Sequence, residues 1–343
     1  MSKFLPLLAI FLLGATHSHA FKTKARSHIQ IVGSSTVYPF ASVIAETFGR
    51  DTDFRTPIVE ATGTGGGFKL FCSGVGLNFP DFSNASRAIE KSEIEKCAQN
   101  GVKNPIEIKI GYDGIVLANS GSGTKYNLSK EQIFLALAAK IPAQNGDELI
   151  DNPNKKWSDI SANLPSHKIA VYGPPSSSGT RDAFAELVLE EVCTKLPAFI
   201  KNFPEAKVRK KKCSVIRGDG HFIEAGENDN LIVQKLRNDH NALGIFGFSF
   251  LEENHALIQA ATIDNVAPSF DSIASGRYSV SRPLFIYLKK EHVNLVPGMR
   301  EFAAEIISKN TIGEDGYLLQ KGLIPLNKKE VSKIQQDVTQ ALE

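Results

Sequence analysis

The sequence has almost no net charge, no CxxC pair and no second long apolar run, and each absence removes a class of function. Its 343 residues carry 39 Lys and Arg against 37 Asp and Glu, a formal charge of +2. A chain this balanced lacks the electrostatic footprint of a nucleic-acid binder or of a protein held on an anionic membrane. Without CxxC, zinc and thioredoxin-like chemistry have no support. GxSxG is absent too, so the Ser-rich stretches carry no hydrolase nucleophile signature. The run from Gly63 to Lys69 (GTGGGFK) does not fit GxxxxGK[ST], which removes a P-loop. His28, His167, His221, His240, His255 and His292 show no HExxH or other metal spacing, and are read as surface or capping residues. No enzyme, cofactor or metal is expected.

The one apolar run stands at the start. Lys3 is followed by Phe4 to Gly14, broken only by Pro6, and Ser18-His19-Ala20 puts small residues where a signal peptidase reads. The run is shorter than the roughly 20 residues a membrane span needs. A signal peptide over residues 1–20, cleaved after Ala20, is expected, with a periplasmic destination and no membrane insertion. Removing Lys3 leaves a charge of +1. The four cysteines, Cys72, Cys97, Cys193 and Cys213, form an even set in an exported chain, which favours disulfides. Three pairings are possible. The local one, Cys72–Cys97 and Cys193–Cys213, closes two modest loops. The basic run Lys207 to Lys212 (KVRKKK) has no aromatic interleaving and reads as a solvated loop.

About 320 residues remain, more than one core usually holds, so two domains are expected. Short β-branched runs alternate with amphipathic stretches, the pattern of an α/β fold. Strands are predicted at Ile29–Gly33, Pro57–Ala61, Ile106–Ile110, Gly114–Ala118, Lys168–Tyr172, Ala242–Phe246 and Leu284–Leu288. Helices are predicted at Thr36–Phe48, Gly65–Phe71, Thr180–Glu190, Asn230–Leu236, Val296–Ile307 and Lys329–Leu342. No linker separates two halves, which suggests lobes sharing the chain through short crossovers, with a cleft between them.

Three segments share one construction, a strand followed by Gly, Ser and Thr and then a helix start. They are Gly33-Ser34-Ser35-Thr36, Gly63 to Gly67, and Ser176 to Arg181 (SSSGTR). The first turn of a helix leaves amide N–H groups unpaired and carries a partial positive charge. Hydroxyls add donors, and glycine permits close approach. Each segment alone is explained by a helix cap; three together point to capture of a small oxyanion.

The strings GSSTVYPF, GTGGGF, NASR and SSSGTRDAF resemble the periplasmic phosphate-binding proteins of ABC-type phosphate uptake systems. Trp157 to Ile160 (WSDI), the succession from Gly218 to Phe250, and Tyr278 to Pro283 (YSVSRP) extend the resemblance over nearly the whole chain. It implies a two-lobed, type II periplasmic binding protein fold that closes on phosphate as a monomer and passes it to a membrane permease. Residues 21–110 and 267–343 would form one lobe and 111–266 the other, with hinges near Ile110–Asp113 and Ile263–Ala267. The implied ligand contacts are Ser35, Thr36 and the amide of Val37; Thr64; and Ser178, Gly179 and Thr180.

Two positions depart from the best-known members. Arg87 stands where they have an aspartate that accepts the phosphate proton, and Pro174 stands where they have an arginine. Arg87, after Ser86, and Arg181 can each offer a planar fork of donors. Asp113 is the candidate replacement acceptor, discriminating against sulfate; the alternatives are a pair with Arg87 or a turn cap. For Arg181 the alternative is a nearby carboxylate, such as Asp182 or one across the cleft. Receptors for other oxyanions and a periplasmic phosphatase are the competing functions.

Overall fold

The computed structural model describes residues 26–343 except Asn145, Asp147, Ser177, Glu227 and Asn228. The expected signal segment lies outside the described residues. Nine strands form one curled sheet: β1 (Gln30–Gly33), β2 (Ile58–Ala61), β3 (Phe82–Ala85), β4 (Pro105–Ser120), β5 (Val171–Gly173), β6 (Phe222–Glu224), β7 (Leu243–Gly247), β8 (Ile258–Ala260) and β9 (Ser281–Lys289). The order is β2-β1-β3-β9-β4-β7-β5-β6, with β8 also paired to β4.

β4 positions everything else. The sequence suggests two strands flanking Asp113, but the chain runs straight through as one strand of 16 residues. Its first part pairs antiparallel with β9, from Pro105↔Lys289 to Gly114↔Ser281. Beyond Gly114 it pairs with β7, starting at Ile115↔Gly247, and then with β8. A bulge between Leu284 and Phe285 absorbs the irregularity around Ile110. β4 therefore runs through both halves of the sheet, paired with β9 in one and with β7 in the other. The segment Ile263–Ala267 contains a tight turn: Asp264 and Asn265 both have positive φ between the mutually bonded Ile263 and Val266.

The helices follow their apolar spacing. Helix α1 (Tyr38–Asp51) begins with Pro39 in its first turn, and buries Phe40, Ile44 and Phe48 at intervals of four. Helix α2 spans Thr64–Phe71. After the third loop, helix α3 (Gly179–Phe184) continues as a π segment over Ala185–Glu190 and ends at Cys193. The basic run is helical, not a loop: α4 (Ala206–Cys213) is largely exposed and is tied to the end of the previous helix by Cys193–Cys213. Cys72–Cys97 is the other disulfide.

Two of the histidines expected at the surface are buried. His221 bonds the Ile169 carbonyl through Nδ1 at 2.7 Å. His292 accepts from the Gly76 amide through Nε2 at 2.9 Å and faces Asp81 with Nδ1 at 2.6 Å, which fixes the proton on Nδ1 in the neutral ring. Among the described residues, no helix is long and apolar enough to cross a membrane.

Candidate functional site

The first loop turns at Gly33, whose φ is +133°. A Cβ there would lie 2.1 Å from the Asn84 carbonyl oxygen, so only glycine lets β1 end so close to β3. The Ser34 amide donates to that carbonyl at 2.9 Å and the Tyr38 amide to the Ser34 carbonyl at 3.0 Å. These bonds wind the loop into α1 and present Ser35 and Thr36 to the cleft. In the second loop, Thr64 is the first residue of α2, and its hydroxyl accepts from the Ser86 amide at 3.1 Å, while the Thr64 and Ser86 hydroxyls lie 3.0 Å apart. In the third, Ser178 caps α3, its hydroxyl accepting from the Thr180 amide at 3.2 Å.

The first and third loops meet across the cleft. Thr36 Oγ1 donates to the Gly179 carbonyl at 3.4 Å, and the Ser35 hydroxyl donates to Asp182 Oδ2 at 3.1 Å. A Cβ on Gly179 would lie 3.0 Å from Thr36 Cα, so glycine sets the approach. Two cavities adjoin along this contact and share Ser35 and Thr36. One, about 320 Å³, gathers the first two loops with Ser86, Arg87, Asp182, Glu186, Glu190 and Arg282. The other, about 380 Å³, holds Ser178, Gly179, Thr180 and Asp113 together with Lys321.

The central cation is Arg282, which the sequence reading passed over. It stands opposite Asp113 in the β4–β9 ladder, is 8% exposed, donates to Thr36 Oγ1 at 3.0 Å and bonds Glu186. Its Nε lies 3.6 Å from Asp113 Oδ2, too far for a hydrogen bond, and both atoms are buried without a hydrogen-bond partner among the described residues. Burial pushes the Asp113 carboxyl above the usual range, against the opposing pull of Arg282. Burial likewise raises Glu190, which accepts from the Ser214 hydroxyl. The clue in the sequence was Arg282 itself, a lone charge between Ser281 and Pro283 at the head of an apolar strand.

Asp113 faces Arg282, not Arg87. Arg87 lines the first cavity but grips Glu93 with both terminal nitrogens at 2.8 and 2.9 Å. Arg181 lines neither cavity; it bonds Glu224 and the Pro174 carbonyl and lies over the Phe222 ring, 4.8 Å from its centroid. Its carboxylate partner is therefore Glu224 and not Asp182. Val37 is buried, and its amide donates to the Ser34 hydroxyl at 3.4 Å.

A family model described as the PBP superfamily domain matches residues 19–310. Protein SphX of Synechococcus elongatus is 30% identical over 272 residues, covering 78% of this chain and 69% of the relative. The phosphate-binding protein PstS of Staphylococcus saprophyticus is 29% identical over 338 residues, covering 95% and 90%. Among solved structures, a possible phosphate binding protein from Planctomyces limnophilus superposes with a TM-score of 0.74 at 27% identity, covering 93% of this chain and all of that one. The fold is the two-lobed type II form that the sequence motifs implied. By its motifs, its topology and these similarities, the chain belongs to the PBP superfamily as a PstS-like member.

Proposed function

We propose that the chain captures inorganic phosphate between its lobes and delivers it to the permease of an ABC-type transporter. The observation that carries this reading is the first cavity, where hydroxyls from two helix-start loops and Ser86 converge with two guanidiniums. The relatives named for phosphate binding support the choice of anion. The anion seats against Ser35, Thr36 and Arg282, where the two cavities meet. Ser178, Gly179 and Thr180 close on it from the other lobe, and Thr64, Ser86 and Arg87 complete the wall. Bound phosphate holds the lobes together because the second lobe's donors are engaged only when the lobes approach.

Asp113 is assigned the phosphate proton. Among the described residues, the buried pair of Arg282 Nε and Asp113 Oδ2 lacks one acceptor and one donor. Hydrogenphosphate offers both, whereas sulfate has no proton to give and would face a carboxylate. Residues 21–110 with 267–343 form one proposed lobe and 111–266 the other, the hinge falling where β4 changes partner after Gly114. The protein acts in the periplasm, as a monomer, without turning over its ligand.

Calorimetric titration of the exported form with phosphate, sulfate, molybdate and phosphonate tests the reading. One phosphate per chain, at least about a hundredfold tighter than sulfate, is expected from a lost charge-assisted hydrogen bond plus repulsion. Equal affinity for sulfate, or hydrolysis of a chromogenic phosphomonoester, contradicts it.

A further inference from the structure

Both guanidiniums in the first cavity already have carboxylate partners. Arg87 is held by Glu93 and lies 3.4 Å from Glu90; Arg282 bonds Glu186 and faces Asp113. A phosphate arriving beside these carboxylates would set like charges together in a partly desolvated cleft. One carboxylate has to give way, and the geometry distinguishes them.

Glu93 is fixed twice over, because it also accepts from the Glu90 amide at 2.9 Å in the capping box of helix Lys91–Gln99. Asp113 sits within β4, its side chain 16% exposed. Glu186 differs. Its side chain is 44% exposed, it bonds the guanidinium from the opposite lobe, and it stands on the π segment that interrupts the helix after the third loop. Such segments recur where a helix is shaped around a site. One turn earlier, Asp182 accepts from Ser35 in the same way, carboxylate to cleft donor.

We propose that Glu186 is an internal stand-in for the anion: it occupies Arg282 and clasps the lobes until phosphate displaces it, leaving Arg282 as the ligand's guanidinium partner. The inference rests on phosphate as the ligand of this cleft. Displacement keeps Arg282 neutralised throughout, so the buried cation is never exposed unpaired, and Glu186 swings to solvent where its charge is hydrated. The anion therefore competes against a tethered carboxylate, which sets the affinity below what the donors alone would give.

The test is phosphate calorimetry and small-angle scattering on wild type, Glu186→Gln and Glu190→Gln. Glu190 lines the same cavity but bonds Ser214, so its variant reports the general effect of removing one negative charge. Glu186→Gln should bind phosphate about tenfold more tightly, the scale of one charge-assisted hydrogen bond relieved of competition, and Glu190→Gln should gain less. Without phosphate, Glu186→Gln should also have a larger radius of gyration than wild type, and the two should coincide at saturation. Unchanged or weaker phosphate binding in Glu186→Gln, or an equal gain in Glu190→Gln, overturns the proposal. If phosphate binds to no form, wild type included, the functional reading fails on its own. Scattering then decides the clasp: expansion of Glu186→Gln supports it, and identical profiles overturn it.

Discussion

Replacing Arg282 by Gln removes the cation opposite Asp113, and the consequence depends on pH in a way the structure dictates. Arg282 is 8% exposed and the Asp113 side chain 16%, so the pair is nearly but not fully buried. Breaking a fully buried pair costs about 3–5 kcal/mol. The lower end, about 3 kcal/mol, applies where Asp113 is ionised, because the pair is not fully buried. Asp113 is a carboxyl whose folded pKa is raised by burial, so its ionised form burdens the fold and its protonated form does not. The stability it contributes is thus greatest below the unfolded pKa and falls as pH rises through the raised one. Without Arg282 the pKa rises further, and the variant suffers most above it. Below the raised pKa, with Asp113 protonated, the remaining cost is the bond to Thr36, about 1 kcal/mol. Urea denaturation of both proteins at pH 4 and pH 7.5 reads the difference. A cost that is the same at both pH values refutes the argument that Asp113 and Arg282 neutralise each other.

Asp113→Asn should bind phosphate more weakly and lose at least about tenfold of the preference over sulfate, because the amide donates to sulfate as readily as it accepts; calorimetry with both anions checks it. Gly179→Ala should leave the melting temperature near wild type, since a first-turn Ala suits a helix, yet weaken phosphate by about tenfold by holding the loops apart at Thr36. Removing the Cys193–Cys213 disulfide, which spans 20 residues, should cost about 3 kcal/mol in denaturant melts, with little change in affinity at low denaturant.

The loops were legible because each is local. Strand, glycine, hydroxyl and helix start lie within a few residues, and the caps at Ser178 and the turn at Gly33 follow from them. The central cation was not, because Arg282 meets Thr36 and Asp113 through a ladder joining segments far apart in the chain. Arg181 follows the third loop in sequence, but its side chain reaches β6 through Glu224 and Phe222, contacts that local spacing does not reveal. β4 looked like two strands because Gly111 and Gly114 flank a charge, a pattern that in sequence marks a turn. Here the charge has its partner on the adjacent strand, so the strand continues. The basic stretch Lys207 to Lys212 has no apolar face to announce a helix, and the disulfide at its end supplies the anchor.

The most direct test is a crystal structure of the protein grown with phosphate. One tetrahedral anion is expected between the lobes, bonded to Ser35, Thr36 and Arg282, with Glu186 turned away and Asp113 the nearest carboxylate. Phosphate bound elsewhere, or Glu186 still on Arg282 beside a bound anion, would contradict it.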